Sequence, residues 1–223
     1  MDTIFNFPAV HTQILFGYGT IKELHQRVKN LGGKKVLLVS DTGVVKAGIL
    51  DTIHEILERG GISVIRFTEV PQDSSTMVAT KGAGLLETER CDMVIGVGGG
   101  SSLDSAKAIA VAATNPLPLS QYAGLNKVQN KPLPVIAIPT TAGTGSEVSF
   151  WSVMTNEENR VKIGIGGELV FPTLAVCDPD LTLSLPPFFT ATTGMDALVH
   201  AMESYVNRSY QPISSVFTYR AME

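Results

Sequence analysis

Residues 92–107 read DMVIGVGGGSSLDSAK, and this passage constrains the fold more than any other. A β-branched, apolar run (Met93, Val94, Ile95, Val97) meets Gly98-Gly99-Gly100, and Ser101 and Ser102 lead into a helix-like stretch, LDSAKAIAVAAT. The order is strand, glycine turn, helix N-terminus. Three glycines let a backbone approach a ligand with no Cβ in the way. The free N–H groups and the positive end of the helix dipole then favour an anion there, usually a phosphate. The passage is therefore expected to hold a nucleotide or another phosphate compound. A tight turn without a ligand is the competing reading, because Gly96, Gly98 and Ser101 give G-x-G-x-x-S and not the usual dinucleotide fingerprint. Asp104 could cap the helix or touch the ligand, and capping is the simpler explanation.

Strand and helix signals alternate through most of the chain. Residues 35–39 (KVLLV) read as a buried strand, and 49–59 as a helix with Ile49, Leu50, Ile53, Ile56 and Leu57 on one face, stopped by Gly60-Gly61. A strand at 63–67, a helix at 74–89, the strand at 93–97, a helix at 102–113 broken by Asn115-Pro116, and a strand at 133–138 follow. Repeated units of this length predict a parallel sheet with helices on both faces, a Rossmann-like α/β fold. Strand order is not readable, but ligands on such sheets bind at the carboxyl ends of strands. The Asp41, Gly98 and Thr140 loops all follow strands and are expected to share one crevice. Residues 151–155 and 161–165 flank a polar turn and predict a β-hairpin. Residues 174–177 form a short strand, and Pro186-Pro187 interrupts the chain before a helical stretch. The expected division is an α/β unit over 1–185 and the start of an all-helical unit over 186–223.

Composition narrows the function classes. Charged residues make up only 17% and the net charge is −4, without a dense Lys/Arg cluster, so no nucleic-acid partner is expected. No apolar run reaches the ~18 residues of a membrane span. Residues 1–10 carry Asp2 and no basic stretch, so no signal peptide is expected, and the reducing cytoplasm is the default. Cys91 and Cys177 each abut an apolar strand and read as two buried thiols.

Three further features bear on chemistry. In PTTAGTGSEVS (139–149), Thr140, Thr141, Thr144 and Ser146 can donate to phosphate or amide oxygens, and Gly143 and Gly145 permit close approach. A Ser/Thr turn that satisfies its own backbone is an equal alternative. Asp41 could accept from both hydroxyls of an adenosine ribose and repel a 2′-phosphate, favouring NAD over NADP, or serve only as a turn residue. Asp196 and His200 stand four apart on an expected helix and so share a face. Such a pair can bind a divalent metal, though alone it is more often a plain side-chain contact.

Together, in this order and spacing, GGGSSLDSAK, PTTAGTGSEVS, DPDLTLSLP and TGMDALVHAMESYV resemble the iron-containing (group III) alcohol dehydrogenases, of the lactaldehyde reductase and 1,3-propanediol dehydrogenase type. The resemblance implies a nucleotide-binding domain and a helical domain with NAD(P) and metal, iron or zinc, between them. It implies that Asp41 meets the adenine ribose and that Gly98, Gly99, Gly100, Ser101 and Ser102 hold the pyrophosphate. Thr140, Thr141, Thr144 and Ser149 would line the phosphate and nicotinamide parts, and Lys162 and Leu181 the ribose region. Asp196 and His200 would be two of four metal ligands, and Phe150, Trp151 and Val153 would border a small alcohol or aldehyde. No residue is assigned as acid or base. The metal would polarise the substrate oxygen while hydride moves between carbon and nicotinamide. A homodimer or larger assembly is expected.

The chain departs from the family after His200. The family supplies two more histidines there, and none follows here up to Glu223, where Ile213, Val216, Phe217 and Ala221 form an apolar stripe. The expectation is a C-terminally truncated member with an incomplete metal shell and impaired activity. An NAD-binding module without turnover is the alternative. A glycerol-dehydrogenase-like or sugar-phosphate lyase relative is a third reading, disfavoured by TAGTGSEVS.

Overall fold

A computed structural model describes residues 11–208 and 211–223, and the segment read for a signal peptide lies outside the described residues. Its strands are β1 (Gln13–Phe16), β2 (Lys35–Val39), β3 (Ser63–Phe67), β4 (Met93–Gly98), β5 (Gly124–Leu125), β6 (Val135–Pro139), β7 (Trp151–Asn156), β8 (Val161–Gly166) and β9 (Leu174–Cys177). Its α-helices are α1 (Leu24–Asn30), α2 (Thr42–Lys46), α3 (Ile49–Arg59), α4 (Thr76–Glu89), α5 (Gly100–Ala112), α6 (Pro187–Val206) and α7 (Pro212–Met222). Six strands form one sheet in the order β1-β9-β6-β4-β2-β3, and every pair in it is parallel. This is the expected Rossmann-like α/β architecture.

Strand alternation sorts the core into two layers. Leu37, Val39 and Val94 face one side, where α4 and α5 contribute Ala79, Ala83, Leu86, Ala106, Ile109 and Ala110. Val36, Leu38, Met93, Ile95 and Val97 face the other, against Leu24 and Val28 of α1 and Leu50, Ile53 and Leu57 of α3. Both faces of β2 and β4 are thus covered, which is why their sequences read as continuous apolar runs.

The helix expected at 102–113 begins two residues earlier, because Gly99 is its extended N-cap and Gly100 already turns. Helix α4 starts at Thr76, where the Ser75 hydroxyl accepts from the Val78 N–H. Strand β6 starts at Val135. The preceding Pro134 has no N–H to pair, although its carbonyl accepts from Val94 N at 3.0 Å. Strand β1 and the short helix α2 had no sequence signal: β1 is an edge strand, mostly exposed, that reads as neither buried nor cleanly alternating.

The expected hairpin is present: β7 and β8 pair antiparallel, with β5 added on the far side of β8. Glu157, in its turn, accepts from Thr76 Oγ1 (2.8 Å) and Met77 N (3.2 Å), so the hairpin grips the start of α4. Burial acts to raise the Glu157 pKa, but hydrogen bonds from Ser75, Thr76 and Met77 outweigh it and hold the carboxyl below its ordinary value.

Beyond Pro186 the packing changes. Pro187 opens α6, and α7 lies against it through a Ser204–Thr218 hydroxyl contact of 2.6 Å and a Tyr205–Tyr219 ring contact of 5.6 Å. Within α6 only Ala201 is buried, and Val216 and Phe217 of the expected stripe are 67% and 68% exposed. No helix of the described residues is long and apolar enough to cross a membrane.

Candidate functional site

The loops after β2, β4 and β6 open onto one cavity of ≈ 1120 Å³. Asp41, Gly99, Gly100, Ser101, Ser102, Thr140, Thr141, Thr144, Ser149, Trp151, Val153, Lys162, Leu181 and Asp196 all line it. Gly98, Phe150 and His200 do not, among the sequence-derived candidates. The segment 70–74 also contributes, a wall that sequence reasoning did not find.

The glycine turn divides its labour. Gly98 has φ +141°, and a Cβ there would lie 2.8 Å from the Ser102 Cβ and 3.0 Å from Asp41 Oδ2, so the fold itself demands glycine. Gly99 is different: a Cβ would meet only the Thr141 side chain at 3.5 Å, an ordinary contact. The space in front of Gly99 is open to the cavity. No side chain caps the first turn of α5 and no acidic residue sits in it, although the Asp41 carboxylate approaches that turn through Ser102 Oγ. This is a cradle that fits a phosphate group.

Asp41 is a turn residue, as one of its two readings had it, and it also reaches across to the glycine turn. Its Oδ1 accepts from Gly43 N (2.8 Å) and Val44 N (3.1 Å), capping α2, while Oδ2 accepts from Ser102 Oγ at 3.0 Å. The carboxylate therefore bridges the β2 and β4 loops at the cavity wall.

In the 139–149 loop, Thr144 Oγ1 accepts from Ser146 N (3.3 Å) and Ser149 Oγ accepts from Trp151 N (3.1 Å). Each hydroxyl oxygen serves the loop, and both residues line the cavity. The Gly143 backbone lies directly against α6: a Cβ there would be 2.4 Å from the Thr193 carbonyl oxygen. That approach brings Asp196, one turn further on, to the cavity.

Asp104 is not a helix cap. Its Oδ1 pairs with Lys107 Nζ (2.8 Å) and accepts from Ser146 Oγ (2.5 Å), and its Oδ2 accepts from Val153 N (3.0 Å). Lys107, 1% exposed, also donates to the carbonyls of Ser146 (3.0 Å) and Trp151, so its three protons are all placed. Burial pushes the Lys107 pKa down, against the Asp104 charge, and burial likewise pushes the nearby Glu147 up. The pair ties α5 to the 139–149 loop and to β7. A lysine three residues after an aspartate, on an otherwise small and apolar helix, was the available signal for it.

On the hairpin, Trp151 and Val153 face the cavity, whereas Phe150 turns into a ring cluster with Trp151 (5.6 Å) and Phe171 (5.5 Å). Lys162 Nζ lies 3.3 Å from Asp73 Oδ1 across the cavity rim. On α6, His200 Nδ1 is 3.9 Å from Asp196 Oδ2, with the side chains 56% and 43% exposed. Among the described residues no third His, Cys, Asp or Glu joins them. Two donors do not fill the four positions of a typical protein-bound metal, so these residues alone do not fit a resident ion.

Of the two thiols, Cys91 is buried, but Cys177 is only partly so, because it ends β9 beside the surface. Burial raises both pKa values to about 11, which keeps them protonated and unreactive.

Comparison with known proteins gives this geometry its context. The family model "Iron-containing alcohol dehydrogenase" matches residues 11–179, and "Fe-containing alcohol dehydrogenase family, C-terminal" matches 190–223. The chain is 42% identical over 217 residues to choline dehydrogenase of Bacillus subtilis, covering 96% of this chain and 54% of that protein. It is 37% identical over 209 residues to the NAD-dependent methanol dehydrogenase of Bacillus methanolicus, covering 94% and 55%. The crystal structure of sulfoacetaldehyde reductase from Bifidobacterium kashiwanohense in complex with NAD+ superposes with a TM-score of 0.91 at 33% identity, over 98% of this chain and 58% of that one. The chain thus spans about half the length of the relatives it matches. With a matching sequence, a matching sheet and a phosphate cradle at the expected strand end, it belongs to the iron-containing alcohol dehydrogenase family.

Proposed function

We propose that this chain binds NAD and takes part in hydride transfer between it and a small primary alcohol or aldehyde. The observation that carries the reading is the uncapped α5 N-terminus, with open space before Gly99, facing the same cavity as Asp41, the 139–149 hydroxyls and Trp151. In this reading residues 1–185 form the cofactor-binding unit and 186–223 the beginning of a helical, metal-binding one.

The amides of residues 100–102 hold the diphosphate, and Asp41 accepts from the adenosine ribose, disfavouring NADP by charge repulsion. Thr140, Thr141, Thr144 and Ser149 donate to the nicotinamide half, while Lys162 and Leu181 flank its ribose. Trp151 and Val153 exclude water on the alcohol side. Bound NAD supplies the hydride acceptor. Asp196 and His200 are this chain's two contributions to a metal, and no step is assigned to that ion. Pairing of two copies and a cytoplasmic setting complete the proposal.

A second reading, an NAD-binding module without turnover, draws support from the incomplete donor pair on α6. Alcohol-dependent NADH formation, measured beside calorimetric NAD titration with Fe²⁺ or Zn²⁺ present, separates the two. The proposal expects NAD binding and NADH formed from a short primary alcohol. Binding with zero turnover at every metal supports the module, and absence of both contradicts either reading.

A further inference from the structure

We propose that Gly164 and Gly166 are positioning residues that set the depth of the alcohol end of the cavity, by letting the Trp151 ring lie flat along β8. The proposal rests on the reading that Trp151 borders the alcohol. Trp151 is the cross-strand partner of Gly166, and Val153 that of Gly164, so all four positions share a face of the hairpin. A Cβ on Gly166 would lie 2.4 Å from Trp151 Cε3 and 2.5 Å from Cζ3, and one on Gly164 would lie 3.0 and 3.1 Å from the same atoms. The six-membered edge of the indole therefore rests on two bare stretches of backbone. Neither glycine lines the cavity, whereas Trp151 does: the ring covers them.

The main chain of Trp151 cannot yield in its place. Its N–H donates to Ser149 Oγ at 3.1 Å, its carbonyl accepts from the buried Lys107 Nζ, and its strand is paired with β8. A side chain at position 166 would leave only the ring free to respond. Carbon atoms in contact sit about 3.5–4.0 Å apart, so the ring must retreat by roughly 1 Å. Since β8 lies behind it, the ring moves into the cavity. The space lost is on the scale of one methylene, and a methylene in an apolar pocket changes kcat/KM by about tenfold or more. The glycines thus decide how long an alcohol the chain accepts, without touching it.

The test compares wild type with Gly166→Ala and the milder Gly164→Ala across a series of straight primary alcohols, ethanol to 1-hexanol, with NAD. In Gly166→Ala the kcat/KM of the longest accepted alcohol, relative to ethanol, falls about tenfold, with a smaller fall in Gly164→Ala. The NAD dissociation constant stays unchanged in both. Trp151→Phe in the Gly166→Ala background restores the ratio, because the smaller ring needs less room. Trp151 is the single tryptophan of the chain, so its emission reports the seat independently of turnover. A ring lifted off β8 gives red-shifted emission and stronger acrylamide quenching. An unchanged alcohol ratio overturns the proposal. If wild type forms no NADH with any alcohol, the activity reading fails by itself. Emission then decides: a shift in the alanine variants supports the seat, and an unchanged spectrum and quenching overturn it. Should Gly166→Ala fail to fold, Gly164→Ala carries the same outcomes.

Discussion

Helices α5 and α6 carry the two ends of the proposed site, and the protein embeds them in opposite ways. α5 buries nine residues between the sheet and the hairpin, and even its lysine is enclosed. α6 buries Ala201 alone. The difference follows from what each ligand class needs. A phosphate cradle is made of backbone amides at one helix end, which a single strand–turn–helix unit supplies locally. A metal shell needs several side chains brought together from separate elements, and α6 presents two candidate donors on one turn. In the proposed reading, the same chain therefore carries a complete phosphate cradle beside only two candidate metal donors among the described residues.

The contrast can be broken at α5 first, where the largest effect is expected. Lys107→Met leaves Asp104 unpaired and two carbonyls without their donor, and breaking such a buried pair costs about 3–5 kcal/mol. Asp196→Ala on exposed α6 changes stability by less than about 0.5 kcal/mol. Denaturant unfolding of both variants checks the comparison, and equal losses would contradict it.

Asp41→Gly acts on the cradle's rim. The lost α2 cap costs only a few tenths of a kcal/mol when glycine replaces it, while removal of the carboxylate raises affinity for NADP relative to NAD by roughly tenfold, the scale of about 1.4 kcal/mol. Paired titrations with the two cofactors read this directly, and an unchanged ratio removes Asp41 from the ribose role.

The smallest effect concerns Glu157, which joins the hairpin to α4. Its folded pKa is lowered, so its contribution is present above the unfolded pKa and is lost as pH falls through the folded value. Glu157→Gln should lower the melting temperature slightly near neutral pH, with the difference from wild type vanishing in acid below the ordinary carboxylate range. A difference that grows on acidification would have the wrong sign.

Much of the cradle could be read from residues 92–107 because its parts are contiguous: apolar strand, glycines and helix start follow one another in the chain. The hairpin was equally readable, from two apolar runs around Asn156–Asn159. Strand order was not, since nothing in the residues of β9 announces that it inserts between β1 and β6. The role of Asp104 was misjudged for a related reason. Its proximity to a helix start suggested a cap, but its partners Ser146 and Val153 lie more than forty residues away. Lys107 went unnoticed because a buried lysine is rare and is explained only by carbonyls that the fold delivers. Phe150 was grouped with Trp151 by adjacency, and their rings do touch, but Phe150 packs between Trp151 and Phe171 and does not line the cavity.

The central claim is that backbone amides at the start of α5 grip the diphosphate of NAD through the open space at Gly99. Calorimetric titration of NAD into wild type and Gly99→Val tests it most directly, since a Cβ at 99 would meet only Thr141 at ordinary distance and the fold is expected to tolerate it. The account predicts saturable binding to wild type and none to the variant, with both chains melting alike. Equal NAD dissociation constants for the two would contradict it.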